Sequence, residues 1–324
     1  MLLADFIRDG AARLEKLYPS PEARGLVLML CRELLGVTNY THVVEPKTAV
    51  PADRLPELEA DLERLCAGEP IQYVLGVAEF CDRRFAVGPG VLVPRPETEL
   101  LVAEAVRTLQ EMELDRAPQV LDLCTGSGCI AWSIALDIRD AEVIGVDLSE
   151  TALGYARGQF VRDSGSSAGM TNNSHSGQQH SHSGQQHSHS GLDPESPSFI
   201  QADVLDTEQA FPYGPFDLIV SNPPYVLERE RAQMRPNVLD WEPALALFVP
   251  DDDPLRFYRA VARWAQRFLR PGGVGLVEIN EALGPETAEV FRNAGFKNVQ
   301  NLPDFYKKVR FVRFESPVDQ PLDN

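Results

Sequence analysis

Several things are scarce in this chain, and each shortage narrows what it can do. Cysteine is sparse and unpatterned: five residues, at 31, 66, 81, 124 and 129, an odd number with no Cys-x-x-Cys or zinc spacing. That usage argues against a disulfide framework and for a reducing compartment, the cytoplasm. No apolar run reaches the roughly 20 residues needed to span a bilayer. The opening Met-Leu-Leu-Ala-Asp-Phe-Ile-Arg-Asp carries charge too early for a secretory signal. Positive charge is in deficit, with 30 Lys and Arg against 48 Asp and Glu, a formal net charge of -18. A polyanion is a poor main partner for such a chain, because phosphate recognition needs clustered cations. Neither direct nucleic-acid binding nor membrane association is expected. Outside one repeat the only histidine is His42, and no metal site is assigned.

What is present is a large globular chain: 324 residues, 44% of them hydrophobic, enough for two domains. Residues 1–75 read as a small helical domain. Leu3, Ile7, Leu14 and Leu17 share a face, Leu26, Leu30 and Leu34 repeat at helical spacing, and so do Leu58, Leu62 and Leu65. Either a docking module or a structural cap suits this segment. Residues 76–95 switch to short β-like runs broken by Gly88-Pro89-Gly90, as in a hairpin linking two domains. Arg95, held between two prolines, has Glu97 and Glu99 as nearby ion-pair partners. From 96 to 324, strands alternate with helices: Gln119–Leu123, Glu142–Val146, Phe199–Val204, the strand inside 216–225, the helix Leu255–Leu269, then Val274–Ile279 and Val309–Phe314. That alternation predicts an α/β fold with a largely parallel, Rossmann-like sheet. Residues 163–198 interrupt it with Ser-His-Ser-Gly-Gln-Gln-His twice over. No position of the repeat is apolar, so a disordered surface insertion is expected, not a coiled coil.

Two stretches carry chemistry. The first is Cys124-Thr125-Gly126-Ser127-Gly128, directly after a strand and before an apolar helix, with Asp147 19 residues beyond Gly128 at the end of the next strand. Glycines admit close backbone approach of a ligand, the helix start favours a negative group, and the acid accepts ribose hydroxyls. NAD and S-adenosylmethionine both carry adenosine, and this pattern serves either. Asp203, with Val204, ends the third strand and is placed to reach an adenine amine.

The second stretch is Phe216-Asp-Leu-Ile-Val-Ser-Asn-Pro-Pro-Tyr225. Pro223 and Pro224 must end the strand, leaving Asn222 extended at its carboxyl end, the edge where open α/β sheets bind ligands. Asn222 and the proline carbonyls can accept both hydrogens of a planar NH2 group, while Tyr225 offers a flat face to a substrate or cation. A proline-terminated strand followed by a solvent loop is the plainer reading.

Taken together, Pro70-Ile-Gln-Tyr-Val-Leu-Gly76, Glu79-Phe80, Gly90-Val-Leu-Val-Pro-Arg-Pro-Glu-Thr-Glu99, Asp122-Leu-Cys-Thr-Gly-Ser-Gly128, Ser221-Asn-Pro-Pro-Tyr225 and Glu242-Pro-Ala-Leu245 resemble the HemK/PrmC family. These are class I methyltransferases acting on the glutamine amide nitrogen of peptide-chain release factors. The resemblance covers almost everything outside 163–198. It implies a helical amino-terminal domain that helps hold the release factor, and a seven-stranded mixed sheet that binds S-adenosylmethionine. Carried over by position, Cys124, Thr125, Gly126, Ser127 and Gly128 form the cofactor loop, Asp147 is the ribose acid, and Asp203 and Val204 form the adenine end. Asn222 lies beside the cofactor and, with Pro223, Pro224 and Tyr225, clamps the glutamine of a Gly-Gly-Gln loop. Cys124 departs from the pattern, since glycine is common there. Related possibilities are a ribosomal-protein glutamine methyltransferase, disfavoured by Pro94-Arg-Pro-Glu-Thr, and an adenine-N6 nucleic-acid methyltransferase, disfavoured by the charge.

Overall fold

The computed structural model describes residues 1–160 and 197–318. Helical periodicity builds the first segment as α1 (Leu3–Leu14), α2 (Ser20–Leu35), α3 (Thr41–Val44), α4 (Leu55–Cys66) and α5 (Ile71–Leu75). Leu3, Phe6, Ile7 and Leu14 bury against Val27 and Leu30 of α2 and against Leu58, Leu62 and Leu65 of α4. Pro21 in the first turn of α2 and Gly36 at φ 66° after its last turn are the expected start and stop residues. Gly10 lets the helices close up, because a Cβ there would sit 3.2 Å from Leu62. Leu17 departs from its expected face. It lies past the end of α1 and is 48% exposed.

A hairpin follows, β1 (Val77–Phe80) antiparallel to β2 (Arg83–Ala86). Its turn is Cys81-Asp82, both at positive φ, as a two-residue hairpin turn demands. Gly88-Pro89-Gly90 lies beyond the hairpin, not at its tip. The hairpin is tied to the helices by Arg84–Glu33 at 2.7 Å and Arg32–Glu79 at 3.2 Å.

The remaining elements are α6 (Thr98–Glu111), β3 (Gln119–Leu123), α7 (Cys129–Asp137), β4 (Glu142–Asp147), α8 (Glu150–Gly158), β5 (Ser198–Gln201), β6 (Phe216–Ser221), β7 (Val226–Leu227), α9 (Pro236–Leu239), α10 (Ala244–Leu247), β8 (Phe248–Val249), α11 (Arg256–Phe268), β9 (Leu269–Glu278), α12 (Gly284–Asn293), β10 (Lys297–Pro303) and β11 (Val309–Glu315). Seven strands form one sheet in the order β10-β11-β9-β6-β3-β4-β5. β3, β4, β5, β6 and β9 pair in parallel, whereas β11 runs antiparallel to both neighbours. This is the seven-stranded mixed sheet that the resemblance implies. β6 is buried along its whole length, as a central strand covered on both faces must be. Tyr258, Trp264 and Phe291 of α11 and α12 cover one face. On the other, Leu101 and Ala105 of α6 and Ile130 and Ile134 of α7 do so.

The largest departures from the expected boundaries are at β5 and β9. β5 begins at Ser198 and ends at Gln201, so the repeat-bearing insertion gives up its last residue, and Asp203 stands in the following loop. The remainder of that insertion, through residue 196, lies outside the described residues. β9 starts directly after α11 and absorbs Pro271-Gly-Gly as a register shift between Phe216 and Leu218 of its partner. Strand order reverses between β3 and its parallel neighbour β6, which the chain reaches by crossing back from β5. No helix among the described residues is long and apolar enough to cross a membrane.

Candidate active site

At the carboxyl edge of β3, β4 and β6 opens a cleft with about 1080 Å³ of space, its solvent-open mouth included. Its floor is the glycine loop. Cys124 takes φ 62°, which explains why glycine would suit the position: a side chain is tolerated there against a left-handed backbone. Thr125 is locked downward. Its amide donates to Val146 O at 2.9 Å and its hydroxyl to Asp122 at 2.6 Å. Asp122 is fully buried under the loop, its second oxygen has no hydrogen-bond partner among the described residues, and burial pushes its carboxyl up to about 7.

Gly126, at φ 57°, has nothing within 4 Å of where a Cβ would stand, so the loop keeps an open cradle on the cleft side. Its amide donates to Asp147 at 2.9 Å, and the Ser149 amide donates to the other oxygen of the same carboxylate at 2.9 Å. Burial raises the Asp147 carboxyl above the ordinary range despite those amides. Each oxygen retains acceptor capacity, so Asp147 is oriented for a vicinal diol without being consumed by the backbone. Cys124, Thr125, Gly126, Ser127, Asp147, Asp203, Val204 and Asn222 all line the cleft. Gly128 does not. It precedes α7 at φ 77°, where a Cβ would meet Ala156 and Phe199 at 3.0 Å, so its task is close packing against α8 and β5. Asp203 sits on the rim with one oxygen accepting the Leu205 amide at 2.8 Å.

The opposite wall comes from β6. The ladder ends at Ser221, leaving the carbonyls of Asn222, Pro223 and Pro224 beyond it. Asn222 and Pro224 face the cleft; Pro223 and Tyr225 are not among its lining residues. Tyr225 is half-buried. Its ring packs on the core, and its hydroxyl donates to Glu278 at 2.9 Å. Arg95 pairs with buried Glu242 at 2.7 Å, not with Glu97 or Glu99. The second Glu242 oxygen accepts the Val93 amide at 3.1 Å, so the Pro-Arg-Pro and Glu-Pro-Ala-Leu segments form one rim.

Two residues without an assigned role in the sequence belong to this site. Thr98, first in α6, accepts the Asn222 amide at 3.1 Å and donates to Glu278 at 2.7 Å. Thr98 lies within the Pro-Arg-Pro-Glu-Thr-Glu motif. Glu278 is signalled in the sequence only as one acid in the apolar run Val274–Ile279. It is 2% exposed, and burial raises its carboxyl, although Thr98 and Tyr225 oppose this.

A model described as the PrmC N-terminal domain matches residues 5–76. The release factor glutamine methyltransferase of Bacteroides thetaiotaomicron is 39% identical over 299 residues, covering 92% of this chain and 95% of that protein. The chain belongs to the release factor glutamine methyltransferase family. Its relative from Flavobacterium psychrophilum is 31% identical over 313 residues, 97% of this chain and 99% of that one. Among solved structures, the release factor-specific protein-(glutamine-N5) methyltransferase of Alicyclobacillus acidocaldarius is similar at 26% identity, covering 72% of this chain and 99% of that chain with a TM-score of 0.38.

Proposed function

We propose that this chain methylates the side-chain amide nitrogen of the glutamine in the Gly-Gly-Gln loop of peptide-chain release factors. The observation carrying the proposal is that Asn222 and Pro224 open onto the same cleft as the glycine loop and Asp147. S-adenosylmethionine, when bound, supplies an electrophilic methyl group. Asp147 would hold its ribose, Cys124 to Ser127 the part that approaches the loop, and Asp203 and Val204 its adenine end, with apolar Leu148, Leu205 and Phe257 available as cleft walls. The open side of Gly126 suits close approach of such a group.

A glutamine amide is a weak nucleophile because its lone pair is delocalised into the carbonyl. Asn222 Oδ1 and a proline carbonyl accept its two hydrogens, orient that lone pair and keep electron density on nitrogen. The nitrogen becomes acidic once alkylated, so its proton leaves without a strong base. Catalysis is then chiefly positioning, worth several kcal/mol where geometry is held. Cytoplasmic residence fits five free cysteines, and a protein substrate fits the acidic charge better than a nucleic acid. Within 221–225, Asn222 is the one residue with a side-chain amide, so the side-chain part of the clamp falls to it alone.

The test is transfer of labelled methyl from S-adenosylmethionine to a purified release factor, with a Gln→Ala control in its Gly-Gly-Gln loop. Label that disappears in the control is the expected result. Label that survives it, or none despite bound cofactor, rejects the substrate.

A further inference from the structure

A hydroxyl between an amide and a carboxylate has no freedom of direction. Thr98 Oγ1 has one hydrogen, and it is given to Glu278 Oε2 at 2.7 Å. Only lone pairs remain toward Asn222, so the Asn222 group facing Thr98 at 3.1 Å must be its NH2. Asn222 lines the cleft, and its free acceptor Oδ1 is what remains for a ligand there. Glu278 is itself fixed from the other side, with Oε1 accepting the Tyr225 hydroxyl at 2.9 Å. Two residues further on, Asn280 Nδ2 donates to Tyr225 O at 3.2 Å, holding the same loop by its backbone. The sheet sets this alignment, since Ser221 of β6 pairs with Val277 of β9 immediately before Asn222 and Glu278.

We infer that Glu278 and Thr98 are positioning residues that dictate the orientation of the Asn222 amide, making the cleft present an acceptor and thereby select an NH2-bearing side chain over a carboxylate. This rests on the proposed glutamine methylation. With the relay intact, a glutamine NH2 meets an oxygen, whereas a glutamate carboxylate would meet one acceptor with another and be repelled. If the Asn222 amide turned over, its NH2 would confront the substrate NH2 and one of the two anchoring hydrogen bonds would vanish. The three side chains reach the relay from α6, β9 and the end of β6, so none can drift without breaking a contact to another element.

The test compares Thr98→Val, which keeps shape but removes the hydroxyl, with Thr98→Ser, which restores it. Thr98→Val should lower kcat on the release factor by roughly 100-fold, the scale of losing one oriented transition-state hydrogen bond. KM for the release factor and Kd for S-adenosylmethionine should stay within about twofold, and Thr98→Ser should recover most of kcat. Glu278→Gln, whose amide can point either end at Thr98, should give a smaller loss; a rate equal to wild type removes the carboxylate from the relay. The orientation is read directly from the Asn222 side-chain NH2 resonances of 15N-labelled protein, which should be protected from exchange in wild type and Thr98→Ser and lose protection in Thr98→Val. Unchanged Asn222 resonances or unchanged kcat in Thr98→Val overturns the inference. If wild type binds cofactor but does not label the release factor, the substrate reading fails, and the NMR comparison still decides the relay.

Discussion

Asn222 and Gly126 line the same cleft with opposite demands, one for a particular side chain and one for none. Replacing Asn222 by Ala removes the acceptor and leaves Thr98 without its donor. Turnover should fall by roughly 100-fold or more, because the lost bond acts on the reacting nitrogen. Cofactor affinity, measured by calorimetry, should change little, since Asp147 and the loop are untouched; equal turnover would remove Asn222 from the mechanism. Gly126→Ala makes the reverse prediction. At φ 57° a Cβ strains the backbone by about 1 kcal/mol and projects into the cradle. A small drop in the urea midpoint should accompany a roughly tenfold weaker cofactor Kd, equivalent to about 1.4 kcal/mol.

Between elements, the register of β3 with β6 is pinned at its far end by a charge cluster. Asp217 of β6 accepts Arg116 at 2.7 Å and the Gln119 amide at 2.8 Å. Burial acts to raise its carboxyl, but Arg116, the Gln119 amide and Arg270 outweigh it and hold it below the ordinary range. A depressed folded-state value means the contribution to stability is present above the unfolded value of about 3.9 and is lost as pH falls through the folded one. The stability gap between wild type and Asp217→Asn, from chemical denaturation, should therefore be constant at neutral pH and shrink only in acid. A gap independent of pH would mean that the charge does not matter there. Because the same two strands carry the glycine loop and Asn222 at their other ends, the variant also tests whether register alone sets the cleft.

For the molecule as a whole, the acidic charge and the His/Gln repeat pull the functional reading in different directions. α8 and β5 pack together on both sides of the repeat-bearing segment, and Gln159 ties α8's end to Ala86 and to Ser127 O of the cofactor loop. Replacing 163–196 with a short Gly/Ser linker keeps every one of these contacts. Methyl transfer to the release factor should persist within about threefold, the margin for a distant change. Loss of transfer with cofactor binding intact would assign the repeat a part in substrate capture. A strongly salt-dependent affinity for nucleic acid in the intact chain would argue instead for the adenine alternative.

The sequence by itself determined the parallel α/β sheet, the helical amino-terminal segment, the glycine loop before α7 and the end of β6 at two prolines. Each depends on local rules: hydrophobic period, turn chemistry and the inability of proline to continue a ladder. It placed Asp147 and Asn222 correctly at strand ends for the same reason. Boundaries set by packing were less legible, as with Leu17 beyond α1 and Asp203 beyond β5. Only the tertiary structure decided that Tyr225 turns its hydroxyl inward, that Arg95 takes Glu242, and that Thr98 and Glu278 stand behind Asn222. Thr98 is 124 residues from Asn222 and 180 from Glu278 along the chain. Contacts at such separations follow from strand order and register, which bring distant segments to one edge and which no local pattern encodes.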